Sequence, residues 1–131
     1  MGAELYHFGQ FGGEEQPTLD TARLGVLRQA LGDKRCREIV EEVVFHLSDR
    51  MASLKVALES EDLAEAQTLT SRLASLSEQV GLIDFARVAR DLSRCLGTGD
   101  VHATGAVAAR LMRLGEDSLF AVMLYADPAS L

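Results

Sequence analysis

The sequence predicts an all-α fold, an antiparallel four-helix bundle with an additional short N-terminal helix. Three observations carry that expectation. After residue 18 the apolar residues recur at steps of three and four, the spacing of one helix face. The periodic segments are separated by breaks at Gly32-Asp33, Glu61-Asp62, Gly81 and Gly97-Thr98-Gly99-Asp100. No run alternates as strands do, and the chain holds only two prolines and no tryptophan.

Residues 1–18 contain Gly2, Gly9, Gly12, Gly13 and Pro17 with little periodicity, the composition of a flexible arm. Tyr6, Phe8 and Phe11 put aromatics into that arm, which leaves two readings: a partly ordered tail, or an arm packed on its own bundle or on a second copy. The helical domain is expected over 19–127, with 128–131 as a C-terminal tail.

Asp20 is a suitable N-cap for a short first helix that stops at Gly32. The second helix is expected from Asp33 to about Ser60, with Cys36, Val40, Val43, Leu47, Met51, Leu54 and Leu58 as its core stripe. At about 100° per residue, Phe45, Ala52 and Val56 fall on the opposite side of that helix. Two coverings suit this second apolar stripe: the first helix folded back over it, or a homodimer contact.

The third helix is expected from about Asp62 to Val80, with Ala66, Leu69, Leu73, Leu76 and Val80 inward and Gly81 as its terminator. The fourth, from Ile83 to Leu96, turns Phe85, Val88, Ala89, Leu92, Cys95 and Leu96 to the core. The fifth runs from about Asp100 to Ala126, with Gly115 as a point of kinking and Pro128 just beyond its end.

A chain of 131 residues, 47% hydrophobic and 25% charged, is the size and composition of one globular domain. Its net charge of −7 offers no basic surface for nucleic acid or for anionic lipid. The apolar runs are broken by charge every few residues and no secretory signal opens the chain, so a cytoplasmic location without membrane contact is expected. Met1-Gly2 is not followed by the Ser or Thr that myristoylation requires, Tyr6 standing there instead. Cys36 and Cys95 sit far apart inside apolar helical patterns, which reads as two reduced, buried thiols.

A metal held inside a bundle requires inward His and carboxylates at spacings of three or four. His7, His46 and His102 have no such relation to one another or to a glutamate, so neither metal nor other cofactor is expected. Phosphate loops, nucleophile elbows and Cys-x-x-Cys pairs are likewise absent from the sequence.

The most informative segment runs Ser71-Arg72-Leu73-Ala74-Ser75, then Leu76-Ser77-Glu78-Gln79-Val80-Gly81, then Leu82-Ile83-Asp84-Phe85-Ala86-Arg87-Val88-Ala89-Arg90-Asp91-Leu92. It resembles the signature of the histidine phosphotransfer (HPt) family, His-x-Leu-Lys-Gly followed by an apolar-Gly helix end and a Leu/Ala-patterned helix. Leu73, Val80, Gly81, Phe85, Ala86, Val88, Ala89 and Leu92 match that pattern. The resemblance spans most of Leu19 to Leu96, and it implies an HPt-like bundle in two-component phosphorelay signalling. In the same register Ser71 stands at the phosphoacceptor histidine, Ala74 at the lysine and Ser75 at the glycine, which describes a degenerate member lacking the acceptor.

Helical geometry places Ser71 nearly opposite the core stripe of its helix, with Gln67, Thr68, Ser75 and Glu78 around it. In an HPt domain this outward face docks a response-regulator receiver, whose aspartyl phosphate passes to the imidazole. Serine cannot relay that group. Its hydroxyl is a weak nucleophile without an adjacent base, and its phosphate ester is too stable to return the phosphoryl group. The resemblance therefore implies a pseudo-phosphotransferase, not an enzyme, that docks a receiver or a histidine kinase through Gln67, Thr68, Arg72, Ala74, Ser75 and Glu78. Arg87 or Arg90 on the following helix would keep positive charge near the site.

Three other readings stay open. One is a structural homodimer built on Phe45, Ala52 and Val56 or on the aromatic arm. Another is an active phosphotransfer protein using His46, which lies about 100° from its own core stripe. The third is a bundle that binds a small molecule, against which the scarcity of polar residues at core positions argues.

Overall fold

A computed structural model describes residues 5–7 and 18–126. Its elements in chain order are β1 (Leu5–His7), β2 (Thr18–Asp20), α1 (Thr21–Leu31), α2 (Asp33–Glu59), α3 (Leu63–Gln79), α4 (Ile83–Thr98) and α5 (Val101–Ala126). The four long helices follow one another round a ring, each packing on the next and α5 closing back on α2, while α1 lies against α2. The fold is the all-α bundle with a short leading helix that the apolar periodicity predicts. The tail 128–131 and the arm other than 5–7 and Thr18 lie outside the described residues, Phe8 and Phe11 among them.

Aspartates open three of the helices because a carboxylate oxygen can accept an N–H that has no partner in the first turn. The Arg23 N–H donates to Asp20 Oδ1 at 3.2 Å, the Glu65 N–H to Asp62 Oδ1 at 3.2 Å, and the Ala103 N–H to Asp100 Oδ1 at 3.0 Å. At the far end of α1 the Gly32 N–H donates to the Arg28 carbonyl at 2.8 Å.

The two three-residue strands pair antiparallel, with Leu5 opposite Asp20, Tyr6 opposite Leu19 and His7 opposite Thr18. Segments this short cannot display the period-two pattern that marks longer strands, so the sequence gives no sign of them. The ribbon is pinned to the corner between α3 and α4. Leu19 bridges to Leu82, the Asp20 N–H donates to the Gly81 carbonyl at 2.8 Å, and the Thr18 N–H donates to Asp84 Oδ2 at 3.1 Å. Gly81 has φ +78°, and a Cβ there would stand 2.6 Å from the Asp20 carbonyl oxygen. Only glycine satisfies both the turn and the clasp.

Phe85, Leu24, Leu47, Leu54, Leu73, Leu92, Leu111 and Leu114 make up much of the wholly buried interior. α5 runs as one helix through Gly115, which sits at a close approach to α2 and α4. A Cβ at Gly115 would lie 2.3 Å from Met51 Cε and 3.0 Å from Phe85 Cε2, so a side chain there would require Met51 of α2 to move and would crowd Phe85 of α4.

Two packing details depart from the periodicity. The buried arc of α3 is wider than the predicted stripe: Thr70, Ala74 and Ser77 are buried beside Ala66, Leu69, Leu73 and Val80, and Leu76 is half-buried. α3 packs on both α2 and α4, so a second row of small residues turns inward on one flank. The buried hydroxyls stay satisfied within the helix, Thr70 Oγ1 donating to the Gln67 carbonyl at 2.9 Å and Ser77 Oγ to the Leu73 carbonyl at 2.6 Å. On α2, Ala57 rather than Leu58 ends the fully buried row. Cys36 is buried, whereas Cys95 is half-buried, and both thiols are free.

α1 does not cover the second apolar stripe of α2. Phe45 and Val56 are 68% and 61% exposed, and Ala52 is exposed between them. Among the described residues no helix is long and apolar enough to cross a membrane.

Candidate functional site

The outer face of α3 is organised around Ser71 and Ser75. Four residues apart on one helix, they stand one above the other, and both are exposed. Together they form a low ridge with a shallow cleft on each side. The cleft toward α4 is lined by Thr70, Ser71, Ala74, Ser75, Arg90 and Ser93. The cleft toward α2 is lined by Arg50, Ser71, Arg72, Ser75, Leu76 and Gln79. Each cleft thus has arginine in its lining, from α4 on one side and from α2 and α3 on the other.

The residues expected on a docking face separate into distinct roles. Thr68 is exposed and its Oγ1 donates back to the Ala64 carbonyl at 3.2 Å. Gln67 reaches across to α4, where its Nε2 donates to the Ser93 carbonyl at 3.1 Å, tying the two helices together. Arg72 joins the α2-side cleft. Ala74 is only 5% exposed and floors the α4-side cleft instead of standing on the surface, because α4 packs along that flank of α3. Glu78, also exposed, forms an ion pair with Arg90 across the two helices.

Of the two arginines expected near the site on α4, Arg90 lines the cleft, while Arg87 pairs with Asp84 of its own helix at 3.6 Å. Arg50 and Ser93 were not singled out in the sequence. Arg50 does carry a local signal, since it lies between Leu47 and Leu54 at the border of the core stripe, where a side chain flanks the neighbouring helix. Ser93 has no comparable signal.

Neither cleft is lined by a histidine or a lysine. Guanidinium groups donate hydrogen bonds but do not take up a proton near neutral pH, so no lining group can act as a base toward the Ser71 hydroxyl. His46 is exposed on α2, its ring edge-on to Phe45 with centroids 5.7 Å apart, and it is not among the lining residues of either cleft. Among the described residues no group of three or more His, Cys, Asp or Glu is gathered as a metal site would require.

The ring of four long helices, with a short leading helix and a polar outer face on α3, has a counterpart among solved structures. The crystal structure of histidine-containing phosphotransfer protein B from Pseudomonas aeruginosa PAO1 superimposes on the chain with a TM-score of 0.76. The match covers 84% of this chain and 95% of that one, at 17% sequence identity. No family model matches the sequence, and no curated protein matches it. The likeness is one of fold.

Proposed function

We propose that this protein docks a response-regulator receiver or a histidine kinase domain in two-component phosphorelay signalling without carrying the phosphoryl group, acting as an adaptor, competitor or decoy. One observation carries the reading: in a fold like that of a histidine phosphotransfer protein, Ser71, which the sequence resemblance puts at the acceptor position, is exposed, and no base lines the clefts beside it. The scaffold and its polar outer face support docking. The hydroxyl argues against relay, since an unactivated serine attacks an acyl phosphate poorly and would hold the resulting ester too firmly to return it.

The test is a pull-down of purified receiver and kinase domains on the intact chain, followed by a transfer assay from a phosphorylated receiver. At least one domain should be retained while the parent chain acquires no acid-labile label, and a Ser71→His variant supplies the comparison for transfer. Acid-labile label on the parent would overturn the reading. Label that disappears in a His46→Gln variant would pass the role to His46.

A second reading is favoured by a separate observation, the exposure of Phe45 and Val56 at 68% and 61% on the outside of α2. Large apolar side chains aligned on one uncovered face suit self-association. Light scattering across a concentration series distinguishes a homodimer from a monomer.

A further inference from the structure

Glu78 and Arg90 point to a built-in competitor at this face. α4 carries Arg87, Arg90 and Arg94, and their pairings differ. Arg87 and Arg94 are held by Asp84 and Asp91, carboxylates three residues back on the same helix. Arg90 is instead held by Glu78 of α3, and it alone of the three lines the cleft beside Ser71. Glu78 lies seven residues beyond Ser71 and three beyond Ser75, on the same outer stripe, so its carboxylate sits at the end of the ridge.

The lining of the two clefts carries Arg50, Arg72 and Arg90 and no acidic residue, in a chain whose net charge is −7. The exposed Ser71 and Ser75 hydroxyls between these guanidinium groups can donate further hydrogen bonds. A face of this composition is complementary to carboxylates. The Arg90–Glu78 pair is about half exposed on both sides, 53% and 48%, and an ion pair so hydrated contributes little to stability and exchanges readily.

We propose that Glu78 occupies the Arg90 guanidinium in the free protein in place of a carboxylate of an acidic partner surface, and that docking over the Ser71–Ser75 ridge displaces Glu78. The occupant is an aspartate-bearing face of a receiver domain, so the inference rests on the docking reading above. Glu78 then acts as an intramolecular competitor that sets affinity, and Arg50 and Arg90 close on the partner from the two flanking helices.

The test measures binding of the retained receiver domain to the intact chain by calorimetry, using the parent and Ser75→Arg, Arg90→Gln, Arg50→Gln and Glu78→Gln variants at low and at raised salt. Removing a carboxylate from a binding face usually weakens attachment if that residue contacts the partner. Here Glu78→Gln should tighten binding severalfold, while Arg90→Gln and Arg50→Gln each weaken it about tenfold, the scale of an interfacial charge pair. The parent's affinity should fall as salt rises. In the Arg90→Gln background, Glu78→Gln should no longer tighten binding.

Binding that Ser75→Arg abolishes but that ignores Arg90→Gln and Glu78→Gln would overturn the competitor while leaving docking at this face intact. Weaker binding by Glu78→Gln would overturn it too, making Glu78 a direct contact. If neither a receiver nor a kinase domain is retained, or Ser75→Arg leaves binding unchanged, the docking reading itself fails and the competitor falls with it; retention of a kinase alone overturns the receiver as occupant.

Discussion

On α2 the side turned away from the bundle carries Phe45 and Val56, largely exposed, with Ala52 between them. On α3 the corresponding side carries Ser71, Ser75 and Glu78, with arginines in the clefts beside the ridge. Both helices bury one face in the same core, so neither outer face is needed to close the bundle. The two surfaces differ: α2 exposes an apolar row among acidic residues, whereas α3 exposes a polar, hydrogen-bonding ridge. An apolar face excludes water against another apolar face, whereas a charged ridge selects a partner by complementary charge. The contrast is the basis for proposing self-association at α2 and heterotypic docking at α3.

The comparison can be broken or sharpened in four ways, beginning with the largest effect. Leu73→Ala, on the buried side of α3, should destabilise the fold by about 2–5 kcal/mol in denaturant unfolding, while Ser71→Ala two residues away should stay within about 0.5 kcal/mol. An equal cost for both would mean that the ridge is structural. Ser75→Arg, which places a long cation on the ridge, should lower receiver retention at least about tenfold, the scale of a disrupted interface residue, with the midpoint of thermal unfolding almost unchanged.

Replacing both Phe45 and Val56 by serine should remove any concentration-dependent association in sedimentation experiments and shift stability by no more than about 1 kcal/mol, as exposed positions do. The same double variant should retain receivers as the parent does; a loss there would make the two faces one surface. Smallest of all, His46→Gln should alter neither receiver binding nor phosphoryl transfer, read by calorimetry and by acid-labile label.

Much of this molecule was legible because helix signals are local. Asp20, Asp62 and Asp100 announce helix starts through a hydrogen bond three residues away, and Gly81 announces an end. The outward direction of Ser71 follows from the positions of Leu69 and Leu73 on the same turns. The candidate site was only partly legible. Ala74 was expected on the surface and lies beneath it, because periodicity locates the centre of a buried stripe but not its width, and the width depends on how many helices pack against it. Arg50 and Ser93 reach the clefts from helices remote in sequence, so no spacing within α3 could name them.

The sequence by itself determined the number and order of the helices and where they begin and end. Each depends on interactions spanning a few residues, which the chain encodes wherever it folds. Tertiary structure decided the rest: that Arg90 meets Glu78, that Ala74 floors a cleft, that Gly115 faces Met51 and Phe85, and that nothing among the described residues shields Phe45. Those outcomes depend on the rotation and axial offset of one helix against another. The whole core sets both quantities at once, because side chains from all four long helices must interlock at the same density.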